Sequence, residues 1–88
     1  MKLFVGNLSY RATDDMVRAA FAVYGEVARV QVARDAQSGR AHGFALVDMP
    51  EARAAAAART GLDGHDLDGR LIRVGEARPD ENGPRLQG

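Results

Sequence analysis

Two short runs constrain the fold of this chain more than any other feature: Leu3-Phe4-Val5-Gly6-Asn7-Leu8 near its start, and His42-Gly43-Phe44-Ala45-Leu46-Val47-Asp48-Met49 further on. Each follows the two-residue period of a β-strand, in which successive side chains point to opposite faces. Leu3 and Val5 then share one face, and Lys2, Phe4 and Gly6 the other. In the second run Gly43, Ala45, Val47 and Met49 oppose His42, Phe44, Leu46 and Asp48. Both strands therefore carry large apolar groups on two faces. One face can be the core; the other needs a cover or a ligand. Left uncovered, Phe4, Phe44 and Leu46 form an apolar surface patch of the kind that marks a binding site. The reversed assignment, with Phe4 and Phe44 in the core, would instead expose Leu3, Val5 and Val47.

The rest of the chain supplies the partners of these strands. The first strand runs from Lys2 to Gly6 and is followed by a loop, Asn7 to Ala12. Thr13 is a good N-cap, and Asp14 and Asp15 behind it suit the positive end of a helix dipole. Val17, Ala20, Phe21 and Tyr24 recur at three- and four-residue spacing, which predicts a first helix that Gly25 stops. Val30 and Val32 alternate with Arg29, Gln31 and Ala33 in a second strand, Val27 to Arg34. Asp35 to Arg40 has the chemistry of a hairpin loop leading into the third strand. Pro50 suits the first turn of a second helix, which Gly61 closes. The alanine-dominated stretch from Ala52 to Ala58 predicts that this helix sits close on the sheet and contributes less burial than the first helix. Leu67-Asp68-Gly69-Arg70 reads as a tight turn before a fourth strand, Leu71 to Ala77, with Ile72 and Val74 inward and Arg73 outward. From Asp80 to Gly88 only Leu86 is a sizeable apolar residue, so residues 80–88 are expected to form a short disordered tail beyond a domain of residues 1–79.

The order strand, helix, strand, strand, helix, strand predicts an α+β, ferredoxin-like βαββαβ fold. Its four-stranded antiparallel sheet has the order 4-1-3-2, with two helices on one face. The first and third strands are then central and adjacent. Two helices cover only one face, so Phe4 and Phe44 lie side by side on the open one.

Composition narrows the function. A chain of 88 residues holds one modest core but no large enclosed cleft, which favours a binding module over an enzyme. With no cysteine, disulfides and thiolate zinc sites are excluded, and a reducing, cytoplasmic setting is the expectation. The apolar stretch after Lys2 is far too short for a secretory or membrane-spanning segment. No catalytic group, metal site or cofactor is expected. His42 and His65 lack metal-ligand spacing, and Ser9 and Ser38 lack a nucleophile context. Asp66-Leu67-Asp68-Gly69 shares only a fragment of a calcium-loop pattern and reads as a turn. Twelve basic and twelve acidic residues cancel, so the distribution of charge matters more than its sum. All the basic residues except Lys2 are arginines, which both stack on flat rings and donate paired hydrogen bonds to phosphates.

At these residues the chain resembles the RNA recognition motif family, over roughly residues 1–79. The hexamer from Leu3 to Leu8 matches the family's first-strand motif, which puts Phe4 where a nucleobase stacks. The octamer agrees at Gly43, Phe44, Ala45 and Val47. It departs at His42, where Lys or Arg is usual, and at Leu46 and Met49, where aromatics are usual. Leucine at position 46 keeps an apolar contact and loses flat overlap with a base. His42 is expected to contact phosphate only when protonated, with Arg40 able to take over that role. Glu76-Ala77-Arg78-Pro79 looks like the end of small single-domain bacterial members, whose strand exit helps bind RNA.

The resemblance implies a monomeric module that binds single-stranded RNA, about two to four nucleotides long, by stacking on Phe4 and Phe44. Lys2, Arg29, Arg73 and Arg78 are expected to hold the backbone. Asn7, Gln31, Leu46 and Glu76 complete the expected contact set. Asp48 and Glu76, near the same surface, either repel phosphate or accept hydrogen bonds from base edges. Two alternatives use the same surface: single-stranded DNA, and a protein partner or second copy docked on the apolar face.

Overall fold

The computed structural model of the chain describes residues 1–34, 37–39 and 41–77, with the backbone alone at 41 and 42. The elements are β1 (Lys2–Gly6), α1 (Asp14–Ala22), β2 (Arg29–Arg34), β3 (Ala41–Asp48), α2 (Ala52–Leu62), β4 (Asp66–Leu67), β5 (Arg70–Leu71) and β6 (Arg73–Glu76). A four-stranded antiparallel sheet has the order β2-β3-β1-β6, and β4 and β5 form a separate two-stranded ribbon. With β6 in the place of the fourth strand, this is the expected ferredoxin-like arrangement. The expected loop residues Asp35, Ala36 and Arg40, the strand exit at Arg78 and Pro79, and the tail from Asp80 onward lie outside the described residues.

The two faces of the sheet are assigned as the alternation predicts. Leu3, Val5 and Val47 are fully buried, together with Val17 and Phe21 of α1, and with Met49 and Ile72. α1 begins as its sequence dictates, with the Thr13 hydroxyl accepting the Met16 amide at 3.1 Å. It ends at Ala22, before Gly25, because Tyr24 closes the last turn with a shorter-range bond from its amide to the Phe21 carbonyl. Gly25 has a different use. A β-carbon there would lie 2.5 Å from the Ala54 β-carbon, so the glycine is what lets α2 approach.

α2 differs from expectation at both ends. Pro50 precedes the helix: Glu51 is still extended, at φ −95° and ψ 123°, and its carbonyl accepts the first helical bond, from Ala55. Gly61 lies inside the helix, which continues to the buried Leu62. A β-carbon at position 61 would run into the Tyr24 hydroxyl. Close packing, and not termination, accounts for this glycine. Ala54, Ala55 and Ala58 are buried, and Leu62 is the one bulky side chain that α2 adds to the core.

β2 is shorter than expected, although the Ala28 amide extends the pairing to the Asp48 carbonyl at 2.8 Å. Its register against β3 shifts between Val32 and Arg34. The segment read as a fourth strand from Leu71 is divided. Asp68 and Gly69 take left-handed φ values of 55° and 85° in the tight turn between β4 and β5, where the Gly69 amide donates to the Asp66 carboxylate at 3.0 Å. Ile72 then exchanges backbone bonds with His65 and Gly64, which draws it into the core and separates β5 from β6. No helix among the described residues is long and apolar enough to cross a membrane.

Candidate functional site

The ladder sets the open face out in three rungs. Arg29, Asp48 and Lys2 form the first; Gln31, Leu46, Phe4 and Gly75 the second; Phe44, Gly6 and Arg73 the third. Register partners point to the same side, and the residues between these rungs include the buried Leu3, Val5, Ala45 and Val47. Phe4 and Phe44 are half-buried on the opposite side, with ring centroids 5.8 Å apart and planes tilted by 33°. That separation allows a favourable aromatic contact.

Glycine clears space around Phe4. A β-carbon at Gly6 would lie 3.3 Å from the Phe4 ring, whereas one at Gly75 would meet nothing within 4 Å. The ring therefore leans over Gly6 and faces open space across the β6 rung. Leu46 and Gln31 separate two shallow depressions. One, of about 220 Å³, is lined by Gln31, Val32, Ala33, Phe44 and Leu46. The other, of about 70 Å³, is lined by Lys2, Arg29, Gln31, Leu46, Val47 and Asp48. A row of flat apolar surface thus adjoins a charged end.

The remaining expected contacts divide into those that the fold leaves free and those it engages. Lys2, Arg29 and Gln31 are exposed on the face. Arg73 is exposed too, but its Nε donates to the Asp63 carboxylate at 3.3 Å. Asp63 also accepts the Val74 amide at 2.9 Å. That backbone hydrogen bond is the main reason its carboxyl is held below the ordinary value, with burial opposing and the guanidinium of Arg73 assisting.

Asn7 is held within the fold. Its backbone takes a left-handed φ of 59°, a conformation asparagine tolerates better than most residues. Its side-chain amide donates to the Leu71 carbonyl at 2.8 Å, and its side-chain oxygen accepts from Arg70. Glu76 is registered opposite the inward-facing Leu3 and so lies off the open face, on the helix-side alternation of an edge strand. His42 belongs to β3, but its side chain, like Arg40 and Arg78, lies outside the described residues. The sequence reading overlooked Gly75, whose isolation in a strand hints at close approach by another group. It also overlooked Tyr10, an aromatic beside Arg11 in a loop.

Comparison with known proteins agrees with this geometry. Residues 3–73 match the RNA recognition motif family. RbpD of Nostoc sp. (strain PCC 7120), whose name proposes RNA binding, is 49% identical over 85 residues, covering 97% of this chain and 90% of its own. The crystal structure of RNA binding protein PG1 superposes with a TM-score of 0.84 at 34% identity, covering 90% of this chain and 98% of that one. The Sxl-lethal protein–RNA complex gives a TM-score of 0.82 at 29% identity, covering 86% of this chain and 47% of that one. With its sheet order, its half-buried aromatic pair on the open face and these matches, the chain belongs to the RNA recognition motif family.

Proposed function

We propose that this protein binds single-stranded RNA on the open face of its sheet, stacking bases on Phe4 and Phe44 and holding the backbone with Lys2 and Arg29. The observation that carries this reading is the pair of rings, 5.8 Å apart, on the face that neither helix covers. A half-buried aromatic pair on an open face, beside glycines, offers two π-faces to bases, and stacking of this kind contributes about 1–3 kcal/mol per base. The polar end of the face, with Lys2, Arg29 and Gln31, supplies phosphate and base-edge donors. The RNA-binding names of its relatives and the RNA complex among its structural neighbours support the same partner. Leu46, between Phe4 and Gln31 in the second rung, fills an apolar position without a flat ring, so affinity at that base is expected to be low.

The test is a titration of the isotope-labelled chain with a randomised short single-stranded RNA at low salt, following backbone and aromatic resonances. Shifts concentrated at Phe4, Phe44, Leu46 and Gly75 support the reading. A silent face at millimolar RNA refutes it and directs attention to a protein partner. Repeating the titration with the matching DNA separates the two sugars, because only RNA offers a 2′-hydroxyl.

A further inference from the structure

A second aromatic and basic surface begins where the open face ends. Beyond the rung of Gly6 and Phe44, the chain turns at Asn7, and the Leu8 amide donates to the Gly43 carbonyl at 2.8 Å. That bond fastens the loop beside the start of β3. Leu8 and Ala12 anchor the loop in the core at 2% and 1% exposure, while Tyr10 between them is 65% exposed. The Ser9 hydroxyl accepts the Arg11 amide at 3.1 Å.

Arg70 arrives from β5. Its Nε donates to the Asn7 carbonyl at 3.4 Å and its terminal nitrogen to the Asn7 side-chain oxygen. Ser9, Tyr10, Arg11 and Arg70 line a cleft of about 380 Å³. Among the described residues no carboxylate pairs with Arg11 or Arg70, whereas Arg34 and Arg73 each have one, Asp14 and Asp63. The cleft therefore combines an exposed ring with two arginines that no described carboxylate pairs, one of them held in place by neutral acceptors. A guanidinium held in this way loses little freedom on meeting an anion.

We propose that this cleft receives a further nucleotide of the strand crossing the sheet, its base stacked on Tyr10 and its phosphate held by Arg11 and Arg70. The proposal rests on the RNA-binding reading above and extends it. Continuity with the Phe44 rung and the positive charge of the cleft both favour a continuing nucleic-acid strand as its occupant.

The experiment compares fluorescein-labelled randomised RNA tetramers and octamers in anisotropy titrations, using the full chain and its Tyr10→Ala, Tyr10→Phe and Phe44→Ala variants. Tyr10→Ala is expected to weaken octamer binding about five- to tenfold, the low end of the stacking range, and to leave the tetramer within about twofold. Tyr10→Phe, which keeps the ring, should retain wild-type octamer affinity. The Tyr10 ring resonances should shift with the octamer and not with the tetramer. If Phe44→Ala weakens both RNAs while Tyr10→Ala leaves octamer binding at the wild-type level, the cleft is refuted and the sheet site stands. Equal losses for both lengths in Tyr10→Ala also refute the cleft. Absence of binding by the wild-type chain overturns the RNA reading and the cleft together.

Discussion

Removing one ring from the open face should separate binding from folding, and the structure sets the size of each effect. Phe4 and Phe44 are half-buried, whereas Phe21 is fully buried. Truncating a buried phenylalanine costs about 3–5 kcal/mol, so a half-buried ring on the sheet should cost roughly half as much. With centroids 5.8 Å apart, the rings should also show a coupling of about 0.5–1.5 kcal/mol in a double-mutant cycle. Loss of one stacked base weakens binding by about 1–3 kcal/mol, or roughly 5- to 150-fold. Phe4→Ala and Phe44→Ala should therefore remain folded with lowered denaturation midpoints and lose most RNA affinity. Val23→Ala, at an 80% exposed position just after α1, should change neither quantity appreciably. Urea unfolding gives the stabilities and anisotropy with a randomised RNA gives the affinities. The reasoning fails if the two ring variants lose stability but bind RNA as well as Val23→Ala does.

Leu46→Phe should tighten RNA binding about tenfold by restoring a flat surface; unchanged or weaker binding in the same titration would reject the stacking geometry. Gly25→Ala places a methyl 2.5 Å from the Ala54 β-carbon and should destabilise the fold by about 1–3 kcal/mol. Adding Ala54→Gly should recover part of that loss, and a stable single variant in urea unfolding would disprove the close-approach argument. The Asp63 carboxyl is held below its ordinary value of 3.8, chiefly by the Val74 amide. A carboxylate with a depressed folded pKa stabilises above its unfolded value, and that contribution disappears as pH falls through the folded one. Stability measured from pH 5 downward should therefore contain a decrement beginning near the ordinary carboxylate range that is absent in Asp63→Asn; parallel curves would show that the carboxylate is not involved.

The alternation of β1 and β3 was legible because a two-residue period against one buried face leaves a single consistent orientation, and Leu3, Val5 and Val47 are indeed in the core. Helix ends were less legible because glycine serves two physical purposes. Gly25 and Gly61 both look like stop signals along the chain, yet they are fitted to Ala54 and Tyr24, partners remote in sequence and brought close only by the packing of α2 beside the end of α1. The fourth strand was misjudged at its start for a similar reason. Only the bonds between Ile72 and the segment after α2 divide β5 from β6. In the candidate site, Phe4, Phe44 and Leu46 followed from parity alone. Side-chain commitments did not: Asn7 is engaged by Arg70 and Leu71, and Arg73 by Asp63, contacts that local pattern cannot reveal.

A net charge of zero is compatible with a polyanionic ligand when the acids lie away from the binding face, and this fold places most of the described ones elsewhere. Asp14 and Asp15 lie in the first turn of α1, Glu51 caps α2, and Asp63 follows its last turn. Asp66 and Asp68 occupy the small hairpin, and Glu76 has the helix-side parity of β6. Among the described carboxylates in the main sheet, Asp48 alone is on the open face, registered between Lys2 and Arg29. The face therefore has an excess of positive charge, but a small one, since Arg73 is paired with Asp63. If Lys2 and Arg29 each neutralise one phosphate, the logarithm of affinity for a short single strand should fall with the logarithm of salt with a slope of about −1.4. Engagement of Arg11 and Arg70 by a longer strand should raise the magnitude to roughly 2.8. Anisotropy titrations across a salt series give both slopes. A steep slope already present with the short strand would mean that cations beyond the open face carry the affinity, and the rungs around Phe4 would no longer explain how a neutral domain holds RNA.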